Sequence, residues 1–378
     1  MSRIDKLIAD LCPEGVEFRT LKSLARRSKG TSITAARMKA LSRPSGEIRV
    51  FAGGKTFADV DASAIPSGDV ITTPSIIVRS RGNIDFTYYD KPFSHKSEIW
   101  SYSTSQPDVE QRFIYYYLTT LTSHLQEVAR ATSVKLPQLA VKDTDLLRIP
   151  VPPLEVQREI VRVLDKFTQL EAELEAELEA RHHQYKYYQK TLLTPADKSY
   201  HTASLGELFE LRAGKFISAT LITPERDAEH PIPCFGGGGL RGYVSSHNQN
   251  GDLVLIGRQG ALCGNVKRAS GKFYATEHAV VVSPKSAVDI RWAFHLLSHM
   301  NLNQYASKSA QPGLSVNMLK QLSVPVPPFP VQVATASILD KFDSLVNDLS
   351  IGLPAELAAR RKQYEYYRDQ LLIFEEKR

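Results

Sequence analysis

The chain has 378 residues, enough for two or three domains with full cores, and its 42% hydrophobic and 23% charged content is that of a globular protein. The net charge is +6, and three cysteines, Cys12, Cys234 and Cys263, are too few and too scattered for a disulfide framework or a zinc site, which points to a reducing cytoplasm. No run reaches the eighteen or so apolar residues of a membrane span, and the opening MSRIDKLIADL has neither the apolar run nor the cleavage site of a secretion signal.

The charge alternates along the chain. Residues 1–148 carry +5, 149–196 carry −2, 197–323 carry +4 and 324–378 carry −1, which sets the expected boundaries of two basic globules and two acidic helical segments. A mild basic excess moves the balance toward nucleic acid only modestly. In the first globule, residues 68–78 are β-rich and bounded by turn formers, and residues 113–129 read as one amphipathic helix. A helical segment follows, with no Pro or Gly from Leu154 to Leu193. Val156, Ile160, Val163, Phe167, Leu170, Leu174 and Leu178 recur at steps of four and three, and Tyr185, Tyr188 and Leu192 resume the seam. Forty residues at about 1.5 Å each make a rod of about 60 Å. In the second globule, residues 251–256 and 274–282 are β-rich, and residues 290–305 read as one helix. The last helix is expected to start after Pro330 and reach about residue 374, broken near Gly352 and Pro354 because proline removes a helical hydrogen bond.

The chain repeats itself. Ile149-PVPPLEVQREIVRVLDKFTQL is matched 175 residues later by Val324-PVPPFPVQVATASILDKFDSL. At an offset of 179, AELxARxxQYxYYxxxLL recurs from Ala176 and from Ala355. Fainter matches at offsets of 183 or 184 join Arg19-TLKSLARRSKG to Thr202-ASLGELFELRAG, Val50-FAGG to Pro233-CFGG, and Gly68-DVI to Gly251-DLV. The fold class expected is α+β: two mixed α/β globules separated by two long antiparallel coiled-coil-like helices, with a pseudo-two-fold internal repeat. Ile160, Phe167, Leu170, Leu174, Leu178, Tyr185 and Tyr188 are expected to pack against Leu339, Phe342, Leu345, Tyr364 and Tyr367.

Catalytic signatures fail one by one. Gly53-Gly54-Lys55-Thr56 resembles the end of a phosphate loop, but Arg49 stands where the first glycine is needed. Gly237-x-Gly239-x-x-Gly242 is followed by polar turn sequence and not by a helix, so no helix N-terminus is offered to a pyrophosphate. The glycines at 236–239 read as a turn permitting close backbone approach. Val326-PPF and Val151-PPL lack the Asn or Asp of an amino-methyltransferase motif, and no H-E-x-x-H, paired-cysteine or G-x-S-x-G motif occurs. No metal ligand set is expected, and His182 and His183 lie on the rod as solvent-facing residues.

What remains is surface suited to DNA. The first globule offers Arg26, Arg27, Lys29, Lys55, Arg79, Arg81, Lys91 and Lys96. The second offers Lys215, Arg241, Arg258, Gln259, Lys267, Arg268 and Lys308. Lys and Arg neutralise phosphates, while Arg, Gln and Asn make paired hydrogen bonds to purine edges. Arg79-Ser-Arg81-Gly-Asn83 and Gly257-Arg258-Gln259-Gly260 stand out, because glycine lets such a loop approach closely. For any one of these side chains, a solvated surface charge is the competing reading.

The paired P-V-P-P-x-x-V-Q lead-ins, the L-D-K-F segments, Ala180-RHHQYKYYQKTLL, Ala359-RRKQYEYYRDQLL, Ile4-DKLIADLCPEGVEF and Ile256-GRQGALCGNV together resemble the specificity subunits of type I restriction–modification systems. The resemblance covers the whole chain. It implies that each globule is a target-recognition domain for one half of a split double-stranded DNA sequence. It also implies that the helices fix the spacing and dock two methyltransferase subunits, which bind S-adenosylmethionine, and that restriction subunits join to cleave with ATP and Mg. This chain would then supply recognition, no chemistry and no cofactor of its own. The first globule departs from the G-R-x-G form of residues 257–260, so the resemblance assigns no common loop role to both halves. The alternative is a coiled-coil scaffold whose basic globules bind proteins or nonspecific nucleic acid.

Overall fold

A computed structural model of the chain describes residues 3–132, 135–194, 200–285, 287–307 and 312–377. It divides into two compact units: Met1–Glu173 with Ala358–Arg378, and Leu174–Leu357. The basic globules fall one in each unit, and the helical segments are shared between them. No helix of the described residues is long and apolar enough to cross a membrane.

The first unit has three small sheets. Glu17–Thr20 pairs antiparallel with Arg148–Val151, the strand that carries the first P-V-P-P. Four strands run in the order Arg26–Ser28, Trp100–Ser103, Ser75–Arg79, Asp85–Tyr89, and three in the order Phe57–Val60, Ile48–Phe51, Phe93–His95. The second unit repeats the pattern. His201–Ser204 pairs with Ser323–Val326. Four strands run Phe209–Ala213, Ala279–Pro284, Leu253–Gly257, Val266–Ala269, and the remaining sheet runs Gly239–Val244, Ile232–Gly236, Lys272–Ala275, Gln249–Asn250. Strand for strand the order is the same, with one short extra strand in the second unit. The faint sequence repeat thus marks a duplicated topology.

The shared glycines have a steric cause. A Cβ at Gly30 would lie 2.1 Å from the His95 carbonyl, and one at Gly214 would lie 2.3 Å from the Ala275 carbonyl. Each closes the corresponding R-S-K-G or L-R-A-G segment, where two backbones cross in contact.

Helix Leu154–Leu193 is continuous, as its lack of breakers predicts. The last helical segment is two helices, Phe329–Asn347 and Leu353–Leu371, with the break at residues 348–352. Gly352 sits in that break because a Cβ there would meet the Ser344 carbonyl at 2.5 Å. Two expected single helices are each interrupted. Residues 113–129 become Gln111–Thr120 and Thr122–Thr132, and the helix from Ile290 stops at His299, where Asn301 turns left-handed at φ 48° before a 3-10 turn. The apolar pattern runs through both interruptions, and periodicity registers neither the break at Leu121, which stays right-handed, nor the left-handed turn at Asn301.

In the first unit, Val156, Ile160 and Leu164 are fully buried against Ile4, Phe113, Tyr116 and Leu372. Phe167 stacks on Tyr367 at 5.6 Å and meets Tyr364 at 6.4 Å, while Arg361 pairs with Glu171 at 2.6 Å. Rising numbers on one helix meet falling numbers on the other, so the pair is antiparallel. In the second unit, Phe342 stacks between Tyr185 at 6.2 Å and Tyr188 at 5.1 Å, Leu339 is fully buried and Leu178 packs on the same core. Leu174 is half-buried. Two expected seam residues are corrected: Leu170 is 46% exposed and Leu345 37%. Around Leu170 the buried stripe advances by fours (Val156, Ile160, Leu164), which rotates it away from the face where Leu170 lies.

Candidate nucleic-acid interface

Two framework devices recur in both units. The glutamine of each V-Q pair is buried and latches the start of its helix. Gln157 Nε2 donates to the carbonyls of Pro152 at 2.7 Å and Asp108 at 2.8 Å, and its Oε1 accepts from the Glu110 amide at 2.8 Å. Gln332 repeats this, donating to the Pro327 carbonyl at 2.9 Å and accepting from the Asp289 amide at 3.0 Å. Glu110 and Asp289 stand at the N-caps of helices Gln111–Thr120 and Ile290–His299. The aspartate of each L-D-K-F segment grips the same two helices. Asp165 accepts from Tyr116 Oη at 2.6 Å and pairs with Arg112 at 2.9 Å; Asp340 meets His295 Nε2 at 2.7 Å and Arg291 at 3.5 Å. Burial, and then the bond to Asp165, pushes the Tyr116 phenol up to about 12. These four residues were visible in the sequence as repeats, but their partners are distant in the chain.

In the second unit, strand Leu253–Gly257 ends against the turn Gly236–Gly239. A Cβ at Gly257 would lie 2.1 Å from the Gly237 carbonyl, so only glycine fits. Arg258, Gln259 and Gly260 then form a turn pinned on its far side. Leu314 N donates to the Arg258 carbonyl at 2.9 Å, Gly260 N donates to the Pro312 carbonyl at 3.0 Å, and Gly260 has φ +81°. Gln259 Oε1 lies 2.5 Å from His278 Nδ1, and His278 Nε2 lies 3.1 Å from Glu277. The turn borders an open cleft of about 630 Å³ lined by the glycines 236–239, Arg241, Gln259, Leu262 and His278. The Thr276 hydroxyl is buried beneath it with no partner among the described residues, 3.6 Å from where a Gly236 Cβ would stand. Lys267 lies along Gly239, and Lys215 bridges to Thr276. Lys215, Arg241 and Lys267 are exposed, and Arg258 is half-buried. The sequence-predicted Lys215, Arg241, Arg258, Gln259 and Lys267 are therefore brought to one edge. His278 and Thr276 join them without any signal in the sequence.

Arg268 stands apart, its guanidinium held by Asp252 through bonds of 2.8 and 2.5 Å. Lys308 lies outside the described residues.

The first unit has the same turn. Leu139 N donates to the Ser80 carbonyl at 2.9 Å, Gly82 N donates to the Pro137 carbonyl at 2.9 Å, and Gly82 has φ +75°. Arg81 therefore occupies the place of Gln259 and is exposed like it, and Arg79 occupies the place of Gly257. Arg79 corrects its expected role as a loop cation facing DNA. It ends strand Ser75–Arg79, is only 7% exposed, and donates to the carbonyls of Ala52 and Gly54 and to Thr87 Oγ1 at 3.1 Å. Its guanidinium lies over the Phe51 ring at 5.4 Å, and burial lowers its pKa. The side chain holds the Gly53–Gly54 turn, which joins two strands as a hairpin and leads into no helix. Lys55 is exposed on that turn. Lys96 is half-buried and paired with Glu98 at 2.6 Å, whereas Arg26, Arg27, Lys29 and Lys91 are exposed.

Two topologically matched units, each with a pinned turn bearing an exposed arginine or glutamine, define a tandemly duplicated protein. A family model for the type I restriction modification DNA specificity domain matches the chain twice, over residues 13–180 and 198–359, and the chain belongs to this family. Among similar curated proteins, the type I restriction enzyme EcoprrI specificity subunit of Escherichia coli is 46% identical over 250 residues, covering 63% of this chain and 62% of that protein. The chain thus spans less than two thirds of that relative. The EcoR124I/EcoR124II specificity subunit of Escherichia coli is 30% identical over 324 residues, covering 77% of this chain and 79% of the relative. Among solved structures, the S subunit of a type I restriction-modification system from M. genitalium superposes with a TM-score of 0.68 at 19% identity, covering 95% of this chain and 96% of that one. That likeness extends the shared fold to the whole chain.

Proposed function

We propose that this chain is the specificity subunit of a type I restriction–modification assembly, each unit reading one half of a split double-stranded DNA target. The observation that carries this reading is the duplicated pinned turn, with Arg81 in one unit and Gln259 in the other, set among lysines and arginines suited to phosphates. Helix Leu154–Leu193 gives its first half to one unit and its second half to the other, and in this reading the helices fix the spacing between half-sites. The helices also dock two methyltransferase subunits, and restriction subunits complete the assembly. S-adenosylmethionine, ATP and Mg act in those partners, in the cytoplasm, and this chain contributes recognition alone. The names of the relatives support the assembly, and the family match over both units supports the division into halves.

The test is a map of methylated adenines across the host genome with and without this gene. The reading expects a split motif that vanishes with the gene. An unchanged methylation map, with the chain expressed in the parent strain, contradicts it. The spacing role has its own test. Residues 171–174 and 175–178 both read Glu-Ala-Glu-Leu, and deleting one unit removes about 6 Å of helix, or one to two base pairs at about 3.4 Å each. The spacer should shorten while both half-sites persist; an altered half-site contradicts the ruler.

A further inference from the structure

We propose that Gln259 and Arg81 are the equivalent base-reading side chains of the two units, Gln259 selecting adenine in one half-site and Arg81 selecting guanine in the other. The inference rests on the DNA-specificity reading and deepens it. Three features single out this position. The turn is the same in both units, fixed by matching backbone hydrogen bonds to residues 137–139 and 312–314 and ended by a left-handed glycine, so its side chain is presented from a held backbone. Both side chains are exposed there, whereas the residues before them, Ser80 and Arg258, are buried or half-buried. The two side chain types are also those whose geometry matches purine edges in the major groove: arginine to guanine O6 and N7, glutamine to adenine N6 and N7.

The neighbouring cations suit another task. Lys55, Lys215 and Lys267 carry point charges fitted to phosphates. Arg241 sits at a β-bulge, where the register shifts between Cys234 and Phe235; the equivalent hairpin of the first unit pairs without a shift and has no counterpart to it. His278 gives Gln259 an anchor that Arg81 does not need. The Gln259 carbonyl oxygen lies against His278 Nδ1 at 2.5 Å, which orients the amide; its NH2 group has no partner among the described residues, and the oxygen keeps a second lone pair. The amide can then give one bond to adenine N7 and take one from its amino group. His278 is in this sense a positioning residue.

The test is selection from a randomised duplex library by the full-length chain, purified with its co-expressed partner subunits. The wild-type chain is compared with Q259R, R81Q, Q259A and R81A. Wild type should retain a split motif with an adenine in one half and a guanine in the other. Q259R should change that adenine to guanine and leave the other half as it was, and R81Q should do the converse. The alanine variants should relax the one base by roughly 5- to 150-fold, the unmutated half-site reporting a folded chain. A split motif whose bases are unmoved by the alanine variants overturns the inference, and so does loss of both half-sites in Q259A or R81A. Failure of the wild-type chain to select any split motif overturns the DNA-specificity reading instead.

Discussion

Position 79 of the first unit is arginine, and its counterpart in the second unit, position 257, is glycine. In the second unit the strand end touches the glycine turn backbone to backbone and leaves a cleft of about 630 Å³ beside it. In the first unit the turn stands off, and the Arg79 side chain fills the gap by donating to two of its carbonyls. Gln157 and Gln332, Asp165 and Asp340, and Gly30 and Gly214 meanwhile do the same work in both halves. The difference teaches where a duplicated domain is free to diverge. Residues that lock helix to helix are held by several partners at once, whereas the strand end beside the glycine turn tolerates a change from glycine to arginine.

The largest expected effect tests the backbone contact. Gly257→Ala places a methyl group against the Gly237 carbonyl, where something must shift, and should cost the second unit about 2–4 kcal/mol. Hydrogen exchange would read this as lost protection confined to strands of residues 201–284, with the first unit unchanged. Gln157→Ala should come next at about 1–2 kcal/mol, since it removes three hydrogen bonds to backbone groups, one of them buried, and Gln332→Ala should cost less because it removes two. Denaturant unfolding of the two variants gives the ranking, and the reverse order would break the equivalence of the latches.

Tyr116→Phe removes one hydrogen bond to Asp165 and should cost about 1 kcal/mol. It should also change the alkaline limb. The phenol's folded pKa of about 12 lies above its unfolded value of about 10, so its contribution is complete below pH 10 and is lost as pH rises toward 12. A titration of stability between those values should fall more steeply for wild type than for the variant. Smallest is Arg361→Ala, which breaks an exposed pair with Glu171 and should cost no more than about 0.5 kcal/mol, diminishing further in salt.

Much of this was legible in the chain. The long helix, the break near Gly352, the duplication and the two turns at residues 79–82 and 257–260 all follow from pattern and spacing, because each depends on neighbours in sequence. The Gln157 latch did not, since its partners Asp108 and Glu110 are more than forty residues away. In sequence Arg79 has the pattern of a surface cation, because a one-dimensional pattern cannot tell a guanidinium pointing into a turn from one pointing out. His278 carried no signal, as its role begins only when two strands place it beside Gln259. The equivalence of Arg81 and Gln259 was hidden for a related reason: it lies in backbone hydrogen bonds, and the side chains around it differ.

The central claim is that the two units read separate halves of one target. Exchange of residues 200–323 for the corresponding segment of a relative with a different target tests it most directly, with methylated sites mapped before and after. The account predicts that one half-site changes to that of the donor while the other half-site and the spacer persist. A change in both half-sites, or in neither, would contradict it.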